Sequence, residues 1–136
     1  VLDFLKKYDC HRLFWLNTVS PLQTINDIKN FFHLTVDNNY SSSVAVTSHQ
    51  VHANFNQLPI NYDWKQNFLK TQDMSPVVCF NYSMMSWCKT EIKMLENGQL
   101  FNEATKMIET SVWSNFLLKS QEDFLLIKKL ASVSPH

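Results

Sequence analysis

The stretch VVCFNYSMMSWCKTEIKML, Val77–Leu95, decides how this chain is read. Its first six residues, Val77–Tyr82, carry no charge and are rich in β-branched and aromatic side chains, the composition of a strand. Near-continuous apolarity there suggests burial on both faces, as in a parallel sheet. After Ser83 or Ser86 the pattern turns helical, with Trp87, Ile92 and Leu95 at helical intervals and Asn97-Gly98 as a terminator. The stretch therefore predicts a strand followed by a helix.

The same order recurs upstream. Arg12–Val19 (RLFWLNTV) reads as a strand, Ser20 as an N-cap and Pro21 as a first helical residue. Leu22, Ile25, Ile28, Phe31, Phe32 and Leu34 then mark an amphipathic helix. Val36–Ser43 reads as a loop, and VAVTS, Val44–Ser48, as a short strand. His49–Phe55 fits either element: Val51, Ala53 and Phe55 alternate, while Val51, Phe55 and Leu58 sit at helical spacing. Asn61–Gln72 predicts a helix with Trp64, Phe68 and Leu69 inward.

The two ends of the chain read as helical. Val1–Tyr8 predicts a short helix, and Leu100, Phe101, Ala104, Met107 and Ile108 form a helical stripe. Ser120 and Asp123 resemble a capping box for a last helix with Phe124, Ile127 and Leu130 inward. Three strands, each followed by hydroxyl or amide residues and then by helix, predict an α/β fold. The expected form is a small, mainly parallel sheet of three or more strands, with flanking helices and a helical C-terminal half. The alternative is α+β, with His49–Phe55 pairing back as an antiparallel strand; a mostly helical fold comes third.

Glycine occurs once, at Gly98. Glycine supplies the positive φ of tight hairpins, so a hairpin-rich sandwich or barrel is disfavoured. A single glycine also rules out GxGxxG, GxxxxGK[ST] and GxSxG, and with them the usual nucleotide cradles and the nucleophile elbow. No cofactor and no nucleotide is expected.

At 136 residues the chain is expected to be a single domain spanning 1–136. It begins at Val1 and is read as an excised or processed piece of a larger protein. Hydrophobic residues make up 45%, enough for a core. Apolar runs such as Phe124–Ile127 fall far short of the roughly 18 residues of a membrane span. Twelve basic and twelve acidic residues balance, and Arg12 is the sole arginine, a poor basis for binding nucleic acid. From Asn38 to Tyr62 there is no Asp, Glu, Lys or Arg, and the stretch is rich in Ser, Asn, Gln and His instead. Cys10, Cys79 and Cys88 form neither a disulfide framework nor a CxxC pair, which points to reduced thiols in an intracellular (cytoplasmic or nuclear) compartment. The sequons at Asn39 and Asn81 are weak signals for a glycan, Asn81 because it ends a buried strand.

In a parallel sheet, ligands bind beyond the carboxyl ends of the strands. That places Asn17, Thr18, Ser20, Thr47, Ser48, His49, His52, Asn81 and Ser83 at one polar end. A small hydrolase or transferase there would use His49 as base, or His52, with Ser48, Ser83 or Cys88 as nucleophile. Cys88 lies early in its predicted helix, where the dipole favours thiolate, and Cys79 is expected to be buried. Metal binding would need a third ligand beside the two histidines, such as His33, Asp63 or Cys79, and no metal is expected. The preferred reading is a non-catalytic protein-protein interaction domain. Its partner surface is either Trp113, Phe116, Leu117 and Leu118, in TSVWSNFLL, or the neutral segment Asn38–Tyr62.

Overall fold

The computed structural model describes residues 1–67 and 69–133. In chain order its main elements are α1 (Leu2–Lys7), β1 (Arg12–Leu16), α2 (Ile25–Asp37), β2 (Ser42–His49), β3 (Asn54–Phe55) and β4 (Leu58–Pro59). They continue with β5 (Val77–Cys88), α3 (Ile92–Glu96), β6 (Lys106–Glu109) and α4 (Gln121–Leu130). Four strands form one sheet in the order β1–β5–β2–β6, and β3 and β4 form a separate hairpin.

The class is mixed α/β, but the sheet is not mainly parallel. β5 runs antiparallel to both β1 and β2, and only β2 and β6 are parallel. Nor is the C-terminal half helical, because it supplies β5 and β6. The difference starts in SMMSWC. The strand predicted over 77–82 runs on through Cys88, and the helix expected from Ser83 or Ser86 is confined to Ile92–Glu96. Met and Trp accept either conformation, so cross-strand partners decide. Met84 to Cys88 pair with Leu16 to Arg12 on one side, and Met85 to Trp87 pair with Val44 to Ser42 on the other.

Both faces of the sheet are covered. Leu5 of α1 and Met94 and Leu95 of α3 pack on Val44, Val46, Met85 and Trp87. On the other face Phe31 of α2 meets Ala45, Met84 and Ile108. The central strand β2 is therefore buried from Ser42 to Thr47. Its buried hydroxyls find partners: Ser42 Oγ lies 2.9 Å from Thr105 Oγ1, and Ser43 Oγ lies 2.9 Å from Thr35 Oγ1.

Several local expectations change. Thr24, not Ser20, caps α2, its hydroxyl accepting from the Asp27 amide at 3.1 Å. Ser20 is buried instead and donates to the Ser114 carbonyl at 2.7 Å. The stripe around Met107 and Ile108 is strand β6, held beside β2. Residues 61–67 and 69–70 lie outside any helix, and Thr71–Asp73 is a single 3₁₀ turn; Phe68, expected to face inward, lies outside the described residues. The Ser120 capping box forms with Asp123, yet of the three expected inward residues Phe124, Ile127 and Leu130 only Ile127 is buried.

Scarce glycine does not prevent a hairpin. Asn56 and Gln57 take φ of 48° and 66° between β3 and β4, the two positive values that a type I′ turn needs. Gly98, at φ 76°, ends α3 as the sequence suggested.

Candidate functional site

The mixed topology divides the predicted strand-end cluster, because β5 runs against β1 and β2. His49 ends β2 opposite Val77, while Cys88 ends β5 beside the Ser42–Trp87 pair. They stand at opposite ends of one ladder, roughly 20 Å apart by strand rise. Cys88 and His49 are therefore not within hydrogen-bonding reach of one another. Ser48, next to His49 in the strand, projects to the opposite face. His52 lies beyond β2, with its ring 5.0 Å from that of Tyr62. Ser83 is fully buried, out of reach of a substrate.

One part of the cluster does assemble. Val44 faces Met85 but Val46 faces Phe80, so residues 81–84 of β5 bulge out opposite Ala45. Tyr82 takes φ 53° inside the bulge. Asn81, 1% exposed, donates to Thr47 Oγ1 and Thr110 Oγ1, each at 2.9 Å, and accepts from the Ser83 amide at 3.0 Å. This is a clasp joining three strands' worth of chain rather than an open pocket. It leaves no room for a glycan on Asn81.

Two thiols differ from expectation or stand apart. Cys79 is exposed, not buried. Burial raises the pKa of the Cys88 thiol, but hydrogen bonds from Thr90, the charge of Arg12 and the Lys89 amide together bring it below the ordinary value. No three His, Cys, Asp or Glu side chains gather as a metal site among the described residues. No helix there is long and apolar enough to cross a membrane.

The predicted partner ridge is partly covered. Val112–Asn115 is a 3₁₀ turn, and Trp113, Phe116, Leu117 and Leu118 are half-buried. The Trp113 and Phe116 ring centroids are 6.1 Å apart. Phe116 and Leu117 line a hollow of about 300 Å³ with Leu126 and Ile127 of α4.

Asp27, missed by the sequence reading, anchors this turn. Its carboxylate accepts from the Ser111 amide at 2.9 Å and from the hydroxyls of Ser111 and Ser114 at 2.5 and 2.9 Å. Burial raises its pKa, but these bonds, with Thr24, outweigh it and hold the carboxyl below its ordinary value. A carboxyl lowered on folding stabilises the fold above its unfolded pKa, and that contribution fades as pH falls through the folded value. Asp27→Asn is expected to lower the urea midpoint near neutral pH, with the gap to wild type narrowing below about pH 4. A gap independent of pH would rule out this role for the charge.

Among the described residues, several highly exposed apolar side chains lie in the arm 50–76 that links β2 to β5. Phe55 and Leu58 pair across the hairpin, each 69% exposed, and Trp64 is 68% exposed. Ile60 is also exposed, and its amide donates to the Ala53 carbonyl at 2.9 Å. Asn61 holds the arm's base: its Nδ2 donates to the carbonyls of Val51 and Ser75, each at 2.9 Å. Beside the hairpin is a cavity of about 380 Å³ whose lining includes His52, Tyr62, Asp63, Trp64 and Leu69. The periodicity of this segment could not reveal it, because the cavity depends on a chain reversal. No family model matches the chain, and no curated protein matches it at a significant level.

Proposed function

We propose that this chain is a non-catalytic interaction domain, a subunit or module of a larger intracellular assembly, and that it meets a protein partner through the arm 50–76. The observation that carries the reading is the exposure of Phe55, Leu58, Ile60 and Trp64 on a segment without Asp, Glu, Lys or Arg as far as Tyr62. Single exposed apolar residues are ordinary, but Phe55 and Leu58 are adjacent across a strand pair, so their surfaces join. An uncharged, apolar hairpin fits a partner face of the same character, since neither side then desolvates a charge. Trp113, Phe116, Leu117 and Leu118 take second place because they are already half-buried. The separation of Cys88 from His49 and the burial of Ser83 weigh against a hydrolase or transferase.

The test is retention of proteins from a cell extract by the immobilised domain, compared with a Phe55→Asp/Leu58→Asp variant. Neither residue belongs to the two core clusters, so the variant should keep the wild-type circular dichroism and thermal midpoint. The expected result is at least a thirtyfold weaker retention of the specific partner, about 2 kcal/mol for losing an interface anchor. Equal retention by both proteins would overturn the assignment of the arm.

A further inference from the structure

We propose that the cavity beside the hairpin binds an organic cation of the quaternary ammonium class, either a free choline-like molecule or a trimethylated lysine side chain. Three aromatic rings carry the inference. His52 and Trp64 each contact Tyr62, at centroid distances of 5.0 and 5.1 Å, and both lie nearly perpendicular to it, at 77° and 80°. All three line the same cavity, which therefore has aromatic walls in more than one plane. Aromatic faces attract a cation through the ring quadrupole, and a methylated ammonium gains most because it has little hydration to lose.

Charge points the same way. Asp63 is the sole carboxylate lining the cavity among the described residues, and no Lys or Arg lines it there. The Asp63 Oδ1 atom accepts from the Lys65 amide at 2.9 Å, which fixes the carboxylate at the cavity wall. The Tyr62 hydroxyl donates to Asn54 Oδ1 at 2.6 Å, tying the middle ring to the first strand of the hairpin. At about 380 Å³ the space lies within the range of small-ligand sites, roughly 300–1,000 Å³, and exceeds one ammonium head, so the group's alkyl stem also fits. The inference stands on the cavity alone and does not require the hairpin to dock a protein.

The test is a titration of the whole chain, followed by nuclear magnetic resonance, with tetramethylammonium, choline and 3,3-dimethylbutanol, the uncharged isostere of choline. A peptide containing trimethyl-lysine and its unmodified counterpart form a second arm. The two ammonium compounds are expected to saturate shifts at the Trp64 indole and Tyr62 ring, and choline to bind about 2- to 30-fold more tightly than the neutral isostere. Trp64→Ala should abolish the shifts. Asp63→Asn, which keeps the acceptor for the Lys65 amide, should weaken binding severalfold without changing the thermal midpoint. Tighter binding of the methylated peptide than of choline assigns the ligand to a protein side chain, and the reverse assigns it to a free small molecule. Equal binding of choline and its isostere, or no saturable shift at Trp64 and Tyr62, would overturn the proposal.

Discussion

Replacing Trp87 with alanine is expected to cost about 3–5 kcal/mol of unfolding free energy, the range for deleting a large aromatic from a core. Trp87 is 1% exposed and lies among Leu5, Val44, Met85, Met94 and Leu95, so it joins β5 to both α1 and α3. Its ring stacks on Phe101 at 5.9 Å between centroids with 15° between planes. Its indole Nε1 donates to the Leu100 carbonyl at 2.7 Å. The substitution thus opens a cavity and leaves a carbonyl unpaired at once. Small domains are stable by about 5–15 kcal/mol, so the variant sits near the edge of folding. Trp87→Phe keeps most of the ring contact, loses the hydrogen bond, and should cost about 1–2 kcal/mol. Urea unfolding monitored by circular dichroism gives both values. Equal losses in the two variants would mean that the hydrogen bond and not the packing dominates. Losses under about 1 kcal/mol in both would remove Trp87 from the core.

The second large effect is expected at Asn81. Asn81→Leu is close in volume but removes both donors and the acceptor. The Ser83 amide then loses its partner inside the fold, as do acceptor sites on Thr47 and Thr110. Each buried group left unsatisfied costs about 1–3 kcal/mol, so the sum should reach about 3 kcal/mol. Asn81→Asp is a sharper probe. Thr110 Oγ1 already donates to the Val46 carbonyl at 3.3 Å, so it presents lone pairs to residue 81. An aspartate there faces lone pairs and is buried as a charge, which costs more than the neutral change near neutral pH. Its loss should shrink at acidic pH, where the carboxyl is protonated and regains a donor. A pH-independent cost for Asn81→Asp would show that residue 81 is not enclosed as described.

Asn81, Asp27 and the two histidines show why the site could not be read directly from the chain. By sequence Asn81 ends a strand at a polar junction. In the fold it is the inner residue of a bulge, and its partners come from β2 and from Thr110, distant in sequence. Asp27 lies in the first turn of α2, but it is Ser111 and Ser114, distant in sequence, that complete its surroundings. His49 and His52, three residues apart in the chain, suggest a shared site. The end of β2 at His49 separates their surroundings, and His52 alone reaches an aromatic wall.

What the chain determined by itself was local. The Ser120–Asp123 capping box, the Asn97-Gly98 stop, the helix of α2 (though of its expected stripe Ile25, Phe32 and Leu34 are exposed) and the strands through Val44–Ser48 and Val77–Tyr82 all depend on neighbours a few residues away. The uncharged run from Asn38 to Tyr62 is likewise plain in the residues. Tertiary structure alone decided the strand directions, the extension of β5 through Met84, Met85 and Trp87, and the conversion of Lys106–Glu109 from helical stripe to strand. A helix satisfies its backbone groups within itself, whereas a strand takes its hydrogen bonds from distant segments. Residues such as Met, Trp and Ile, which suit either element, therefore follow whichever partner the fold brings beside them.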